Sequence, residues 1–341
     1  MVLQTLWFIL VFVLLAGYAI LDGFDLGVGM LHLTGKTDNE RRVGLNAIAP
    51  VWDGNEVWLI TGGGALFAAF PFVYATVFSA MYLPLMLVLV ALIGRAVSVE
   101  FRSKVELPAW RRFWDWTFFL GSLLPSILFG VAFGNILHGL PLSQRNGQLL
   151  YTGGFFTLLN PYSIMIGVLS CLLFLLHGAI FLAIKSQAQQ HERMRKLIPA
   201  IWMLVVVVYV GASMISMLRL PYLFDRASAN PLFWVLSALV MASMLVIPIA
   251  AFARHFGKAF IASSTMIGSM MFLAALSLYP SLVPSSTSLA NSLNIRDHSS
   301  SPYTLKVMLI IAGIGMPCVI AYTAIIYRVF RGKTEVPVDG Y

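Results

Sequence analysis

Charge is what this sequence has least of. Only 11% of its 341 residues are charged, 22 Lys+Arg against 14 Asp+Glu, where a soluble domain carries about a quarter. So few charges cannot form the polar shell that a soluble core of this size needs. Disorder is excluded as well, because 59% of the chain is hydrophobic and 13% aromatic, with a mean hydropathy of +0.86. Cysteine is nearly absent. Cys171 and Cys318 both fall in apolar stretches, which leaves no disulfide framework and no CxxC metal site. No Lys or Arg precedes the first apolar run, so no signal peptide is expected. A nucleotide loop, a metal-binding histidine motif and a nucleophilic triad are all missing.

What is present is a series of long apolar runs, and the chain reads as an all-α membrane protein forming a single polytopic domain over 1–341. Nine spans are predicted near 7–29, 50–70, 72–94, 116–138, 161–184, 198–218, 231–253, 259–280 and 305–329. The second needs an argument, since its uninterrupted apolar part, Val57 to Phe70, is too short to cross a bilayer. It must start near Pro50, a good first-turn residue, which draws Asp53 and Glu56 to the edge of the membrane. With the N-terminus outside, only Arg145, Arg219, Arg226, Arg296 and Lys306 fall outside. The other 17 of the 22 basic residues, Arg95 among them, fall inside. That asymmetry predicts N-terminus out and C-terminus in. The net charge of +8 is thus an orientation signal and no nucleic-acid footprint, which would gather on one extramembrane domain.

A charge within a bilayer costs roughly 2.5–3.5 kcal/mol at midspan, so each one needs a reason. Four acids gather near the inner ends of the first two spans. Asp22 and Asp25 share one face of the first helix, and Asp53 and Glu56 repeat that spacing on the second. Two uses fit them: a proton entry or relay site, or ion pairing at the interface with Lys36, Arg41 and Arg42 as available cations. Gly23 and Gly27 form a small-xxx-small step that permits close helix approach. Trp52 and Trp58 bracket Asp53, Asn55 and Glu56, and flat aromatics beside polar groups suit a quinone or a partner-subunit surface. Arg95, Glu100 and Asp115 are expected to cap helices or form ion pairs. Asn135 and Asn160 are candidates for interhelical hydrogen bonds.

The motifs Asp22 to Gly29 and Trp52 to Leu59 carry a resemblance. So do Gly63-Gly64-Ala65-Leu66-Phe67-Ala68-Ala69, Arg102-Ser103-Lys104, Trp114-Asp115-Trp116 and Gly130-Val131-Ala132-Phe133-Gly134-Asn135. Tyr151-Thr152-Gly153, Leu159-Asn160-Pro161 and Val283-Pro284-Ser285-Ser286-Thr287 continue it. Together, in this order, they resemble subunit II of the cytochrome bd-type quinol oxidases of prokaryotic cytoplasmic membranes.

The resemblance implies two four-helix bundles plus one peripheral helix. It implies a haem-bearing partner, subunit I, holding two haems b and one haem d, while this chain binds none and no metal. No catalytic residue is expected in this chain. A structural quinone, membrane lipid and small single-span accessory subunits are further expected partners. Asp53 maps onto a cytoplasmic proton path to the oxygen-reducing site, with Asp22, Asp25 and Glu56 in the same region. Trp52 is the candidate quinone contact, and Trp58 the candidate for lining an oxygen route. Charge would be separated without pumping. The six histidines agree with a haem-free chain, since only His177 lies well inside a span and it lacks a bis-His partner. Two rivals remain: a stand-alone proton-coupled transporter, which would place midplane acids in both halves, and a purely structural scaffold.

Overall fold

The computed structural model describes residues 1–145 and 148–334. Its helices are α1 (Val2–Leu31), α2 (Asp38–Ile48), α3 (Trp52–Ala69), α4 (Pro71–Ala80), α5 (Tyr82–Phe101) and α6 (Pro108–His138). They continue with α7 (Pro161–Lys185), α8 (Ala188–Arg219), α9 (Tyr222–Asp225), α10 (Pro231–Phe252), α11 (Phe256–Leu278) and α12 (Pro302–Val329). Eight of these are long and apolar enough to cross a membrane: α1, α5, α6, α7, α8, α10, α11 and α12. The helix α3 is apolar over its second half only, because Asp53, Asn55 and Glu56 occupy its first turns.

Several boundaries differ from those expected. The stretch 72–94 is two helices, not one. Pro71 opens α4 after a break at Phe70, a second break follows at Met81, and Pro84 sits in the first turn of α5, where its missing N–H is harmless. The helix α5 therefore runs on to Phe101 and carries Arg95 within it rather than at its end. Likewise α6 begins at Pro108, two turns before the expected 116, so Asp115 lies beyond its first turn. The polar helix α2 was not anticipated. Thr37 caps it by accepting a hydrogen bond from the Glu40 N–H at 3.2 Å. Two small antiparallel strand pairs, Leu142–Arg145 with Gln148–Tyr151 and Ser281–Val283 with Leu293–Asn294, relieve an otherwise helical chain.

The helix α1 is the axis of the packing, touching α3, α6, α7 and α11. Its closest approach is to α7, where a Cβ on Gly27 would lie 2.0 Å from the Phe174 carbonyl oxygen and 2.8 Å from the Gly178 Cα. Only glycines allow backbones that near. On the other side, Gly121 of α6 fits against Ala91 and Arg95 of α5. Three apolar clusters result, the smallest around Leu26, Met30 and Phe174. Of the two larger, one gathers Leu45, Ile48, Val99, Phe118, Ile180 and Met194 toward the α2 end. The other gathers Trp7, Phe8, Phe70, Leu140, Leu220 and Leu305 toward the strand-bearing end. The helix α12 is peripheral, with Leu305 its one buried residue.

Candidate functional site

Asp22 and Asp25 lie about 14 and 9 Å from the end of α1, counted at 1.5 Å per residue. Both are fully buried. The cation beside them is Arg95 of α5 rather than Lys36, Arg41 or Arg42. Its guanidinium donates from Nη2 to Asp22 Oδ1 at 2.7 Å and from Nη1 to Asp22 Oδ2 at 3.0 Å. Nη1 also donates to Glu56 Oε1 at 3.0 Å. This planar fork ties α1, α3 and α5 together. Asp25 is held differently. Asn55 Nδ2 donates to Asp25 Oδ2 at 2.6 Å and to the Leu21 carbonyl at 3.2 Å. The Tyr327 hydroxyl of α12 in turn donates to Asn55 Oδ1 at 3.1 Å. Among the described residues, Asp25 Oδ1 and Arg95 Nε have no hydrogen-bond partner.

Asp53 stands apart. Three of the four expected acids converge, but Asp53 is exposed on the far side of α3. It heads an exposed stripe that continues through Val57, Ile60, Gly64 and Phe67 at three- and four-residue spacing. Trp52 is half-buried against the inner core cluster. The Trp58 ring covers Gly17 of α1, where a Cβ would fall 2.3 Å from Trp58 Cε3.

A second polar knot lies at the α2 end. Asp115 of α6 accepts from Arg102 Nε and Arg41 Nη1, both at 2.5 Å, and lies 2.5 Å from His32 Nε2. Asp38 joins Arg102 and Arg111 at 2.9 and 3.1 Å. Glu40 joins Arg193 of α8 through two contacts of 2.9 and 3.2 Å. Asp115 is thus an ion-pair hub and no cap. Asn160 and Asn135 do bond across helices, at 3.1 Å.

Between α1, α6, α7, α8, α10 and α11 lies an apolar cavity of about 490 Å³. Phe129, Phe133, Phe174 and Met270 line it, with Tyr18, Tyr162 and Ser216 as polar points. Neither Trp52 nor Trp58 reaches it. His177 does not open onto it either. Its Nδ1 is 2.7 Å from Ser263 Oγ and its Nε2 3.1 Å from the Ile20 carbonyl, with the ring stacked on Phe260. Both nitrogens are engaged, so this imidazole does not fit an axial haem ligand.

The family model described as cytochrome bd terminal oxidase subunit II matches residues 3–330. The chain belongs to this family. It is 38% identical to cytochrome bd-I ubiquinol oxidase subunit 2 of Escherichia coli, over 97% of this chain and 95% of that one. It is 37% identical to cytochrome bd ubiquinol oxidase subunit 2 of Bacillus subtilis, over 98% and 97%. A bd oxidase structure from Geobacillus thermodenitrificans shares the fold with a TM-score of 0.77 at 19% identity, covering 97% of this chain and 99% of that one. The chain is therefore subunit II of a bd-type terminal oxidase, a multi-pass protein of a prokaryotic cytoplasmic membrane.

Within this subunit II, sequence reasoning missed Arg95 as the partner of Asp22 and Glu56, and missed His32 beside Asp115. A signal for α2 did exist: Thr37-Asp38-Asn39-Glu40 follows the capping-box pattern. Arg95 leaves the group of inside loop cations, which weakens the charge asymmetry by one residue without altering its sense.

Proposed function

We propose that this chain supports the haem-bearing subunit I of a heterodimeric quinol:oxygen oxidoreductase and contributes a cytoplasmic proton path to it. The reading takes nine spans, with α3 as the ninth, the N-terminus outside, and two four-helix bundles with α12 beside them. Haems b and d belong to the partner. When bound, those haems would supply the electron transfer from quinol to oxygen; quinol protons leave outside, while the protons consumed in making water arrive from inside. Charge is thereby separated without a pump.

The observation that carries the reading is Asp53, an exposed acid with no ion-pair partner among the described residues, at the head of the apolar α3 stripe. An acid on a lipid-facing stripe is costly, so the stripe suits a docked partner, and the reading takes Asp53 to lie at the subunit boundary. There a carboxylate can pass protons along water. Asp22, with both oxygens taken by Arg95, acts as its counter-ion. Asp25, with one oxygen unpartnered, is the better place for a path water to bond, and Glu56 borders both. The apolar cavity suits a structural isoprenoid quinone, with the hydroxyls of Tyr162 and Ser216, 2.8 Å apart, at its polar points. Family membership removes the stand-alone transporter. The scaffold reading keeps support from the Arg95 fork.

Asp53→Asn in the assembled oxidase tests the relay. Oxygen uptake should fall at least tenfold, with haem spectra and subunit ratio unchanged. Normal turnover in a fully assembled variant sinks the relay, and lost haem incorporation makes Asp53 a structural residue.

A further inference from the structure

The α10–α11 hairpin carries an open groove of about 270 Å³. Leu239, Val246 and Ile261 form its exposed walls, the small residues Ser243 and Ala262 are buried at its base, and the exposed Ala242 lies along it. Lys258 lines the same groove at one end and is exposed. Beside it the hairpin turns through Arg254, which takes a positive φ of 61°. A glycine would hold that conformation without strain, whereas an arginine holds it under strain. His255 next in line is exposed as well, and Phe252 is 85% exposed at the close of α10.

The balance of charge at this mouth is one-sided. The acid that acts on Arg254 is Glu192, and its carboxylate is already taken by Arg195 at 2.8 and 2.5 Å. Among the described residues no acid forms an ion pair with Arg254 or Lys258. The first turn of α11 contains no acid, and its N-terminal end adds partial positive charge to the two side chains. An apolar slot thus ends at two cations that form no ion pair among the described residues, a helix N-terminus and an exposed aromatic. Basic pockets between spans at the cytoplasmic surface are suited to anionic headgroups.

We propose that the α10–α11 groove is a binding site for an anionic phospholipid of the cytoplasmic leaflet, one acyl chain lying along Leu239, Val246 and Ile261 and the phosphate held by Lys258 and Arg254. The leaflet follows from the N-terminus-out reading, but the binding does not depend on the proton path. The phospholipid is favoured over an accessory helix because the mouth demands negative charge and the slot is bare of hydrogen-bonding side chains apart from Ser243.

The test uses the purified two-subunit oxidase, stripped of lipid by detergent exchange and titrated with phosphatidylglycerol, cardiolipin or phosphatidylcholine under native mass spectrometry. Wild type should retain the two anionic lipids and release phosphatidylcholine. Arg254→Gln with Lys258→Gln should weaken anionic-lipid retention roughly tenfold or more, at about 1 kcal/mol for each basic residue. Ala242→Phe fills the slot but keeps both cations, so it tests the groove even where the charge variant assembles poorly. It should lose the same lipid. Arg296→Gln, at the opposite end, should change nothing. Equal retention of anionic and zwitterionic lipid by wild type overturns the proposal, as does unchanged retention in either groove variant. Displacement of the lipid by inorganic phosphate with no effect of Ala242→Phe would make this a bare phosphate site. A small polypeptide lost from the Ala242→Phe variant in place of lipid would make it a protein interface. Haem content and oxygen uptake, read in parallel, keep this outcome separate from that of Asp53→Asn.

Discussion

Removing the guanidinium of Arg95 isolates what holds the acid cluster. Arg95 and Asp22 each have side chains that are 0% exposed, and Glu56 is 21% exposed. Arg95→Gln leaves two carboxylates facing an amide in a space with no replacement cation. Breaking a buried pair on one side costs about 3–5 kcal/mol, because the remaining charge has lost both water and partner. At roughly 1.5 °C per kcal/mol for a chain of this size, the apparent melting temperature should fall by about 6 °C. The assay is a thermal ramp on the detergent-solubilised oxidase followed by gel filtration, with haem content measured on the unheated sample. Arg112→Gln on an exposed cation is the control and should stay within about 0.5 kcal/mol of wild type. Adding Asp22→Asn to Arg95→Gln should recover part of the loss, since an amide in that place needs no cation. The coupling between the two sites should exceed about 1 kcal/mol. A single variant melting within 2 °C of wild type (roughly the scale of one surface substitution), or a double variant no better than the single, would refute the argument. Either result would mean that water reaches the cluster and screens it.

Two further outcomes are expected. Gly178→Val should abolish assembly, because a Cβ there falls 2.4 Å from the Gly27 carbonyl carbon and α1 cannot retreat from α7 without opening the core; recovery of a normal haem spectrum in that variant would exclude the close contact as a requirement. The Glu40–Arg193 bridge should weaken in acid. Slight burial raises the Glu40 carboxyl, but the hydrogen bonds from Arg193 and the Lys36 N–H outweigh it and hold the group below its ordinary 4.5. Its contribution is present above that value and is lost as pH falls through the lower folded value. Amide exchange in α2, corrected for intrinsic rate, should accelerate there in wild type and show a smaller step in Arg193→Gln, where the Lys36 N–H bond remains.

Much of this site was legible because its signals are local. Asp22 and Asp25 stand three apart on an apolar helix, so a shared face follows from helical geometry alone. Gly23 and Gly27 announce a close contact in the same way, and Phe174 and Gly178 supply it. Arg95 was not legible for a physical reason. Hydropathy finds where an apolar run fades, and the run fades at Gly94-Arg95 while the helix continues to Phe101. A cation buried two turns inside a helix end reads as a loop cation until its acid is located on another helix. The split of the third predicted span has a similar origin, since Tyr82 to Pro84 is apolar enough to hide the break at Met81.

Asp53 shows the converse limit. Its spacing from Glu56 matches that of Asp22 from Asp25, and sequence alone treats the four as equivalent. The rotation of α3 separates them. Asn55 and Gly62 face α1, so Asp53 faces away, and Glu56 lies at the boundary between the two sides. Which side of α3 turns inward is decided by the fit of Gly62 against Leu14 and Leu15 and by the bond between Asn55 and Asp25. Neither contact can be read from α3 by itself. The consequence is chemical: among the described residues Asp22 acquires a fixed counter-ion, Asp25 a neutral donor, and Asp53 no ion pair. An exposed acid at the end of an apolar stripe needs a partner to cover it, and in the function proposed above that partner is subunit I. The proton path is accordingly sought across the subunit boundary at Asp53, with the Arg95 cluster behind it holding α3 in the required rotation.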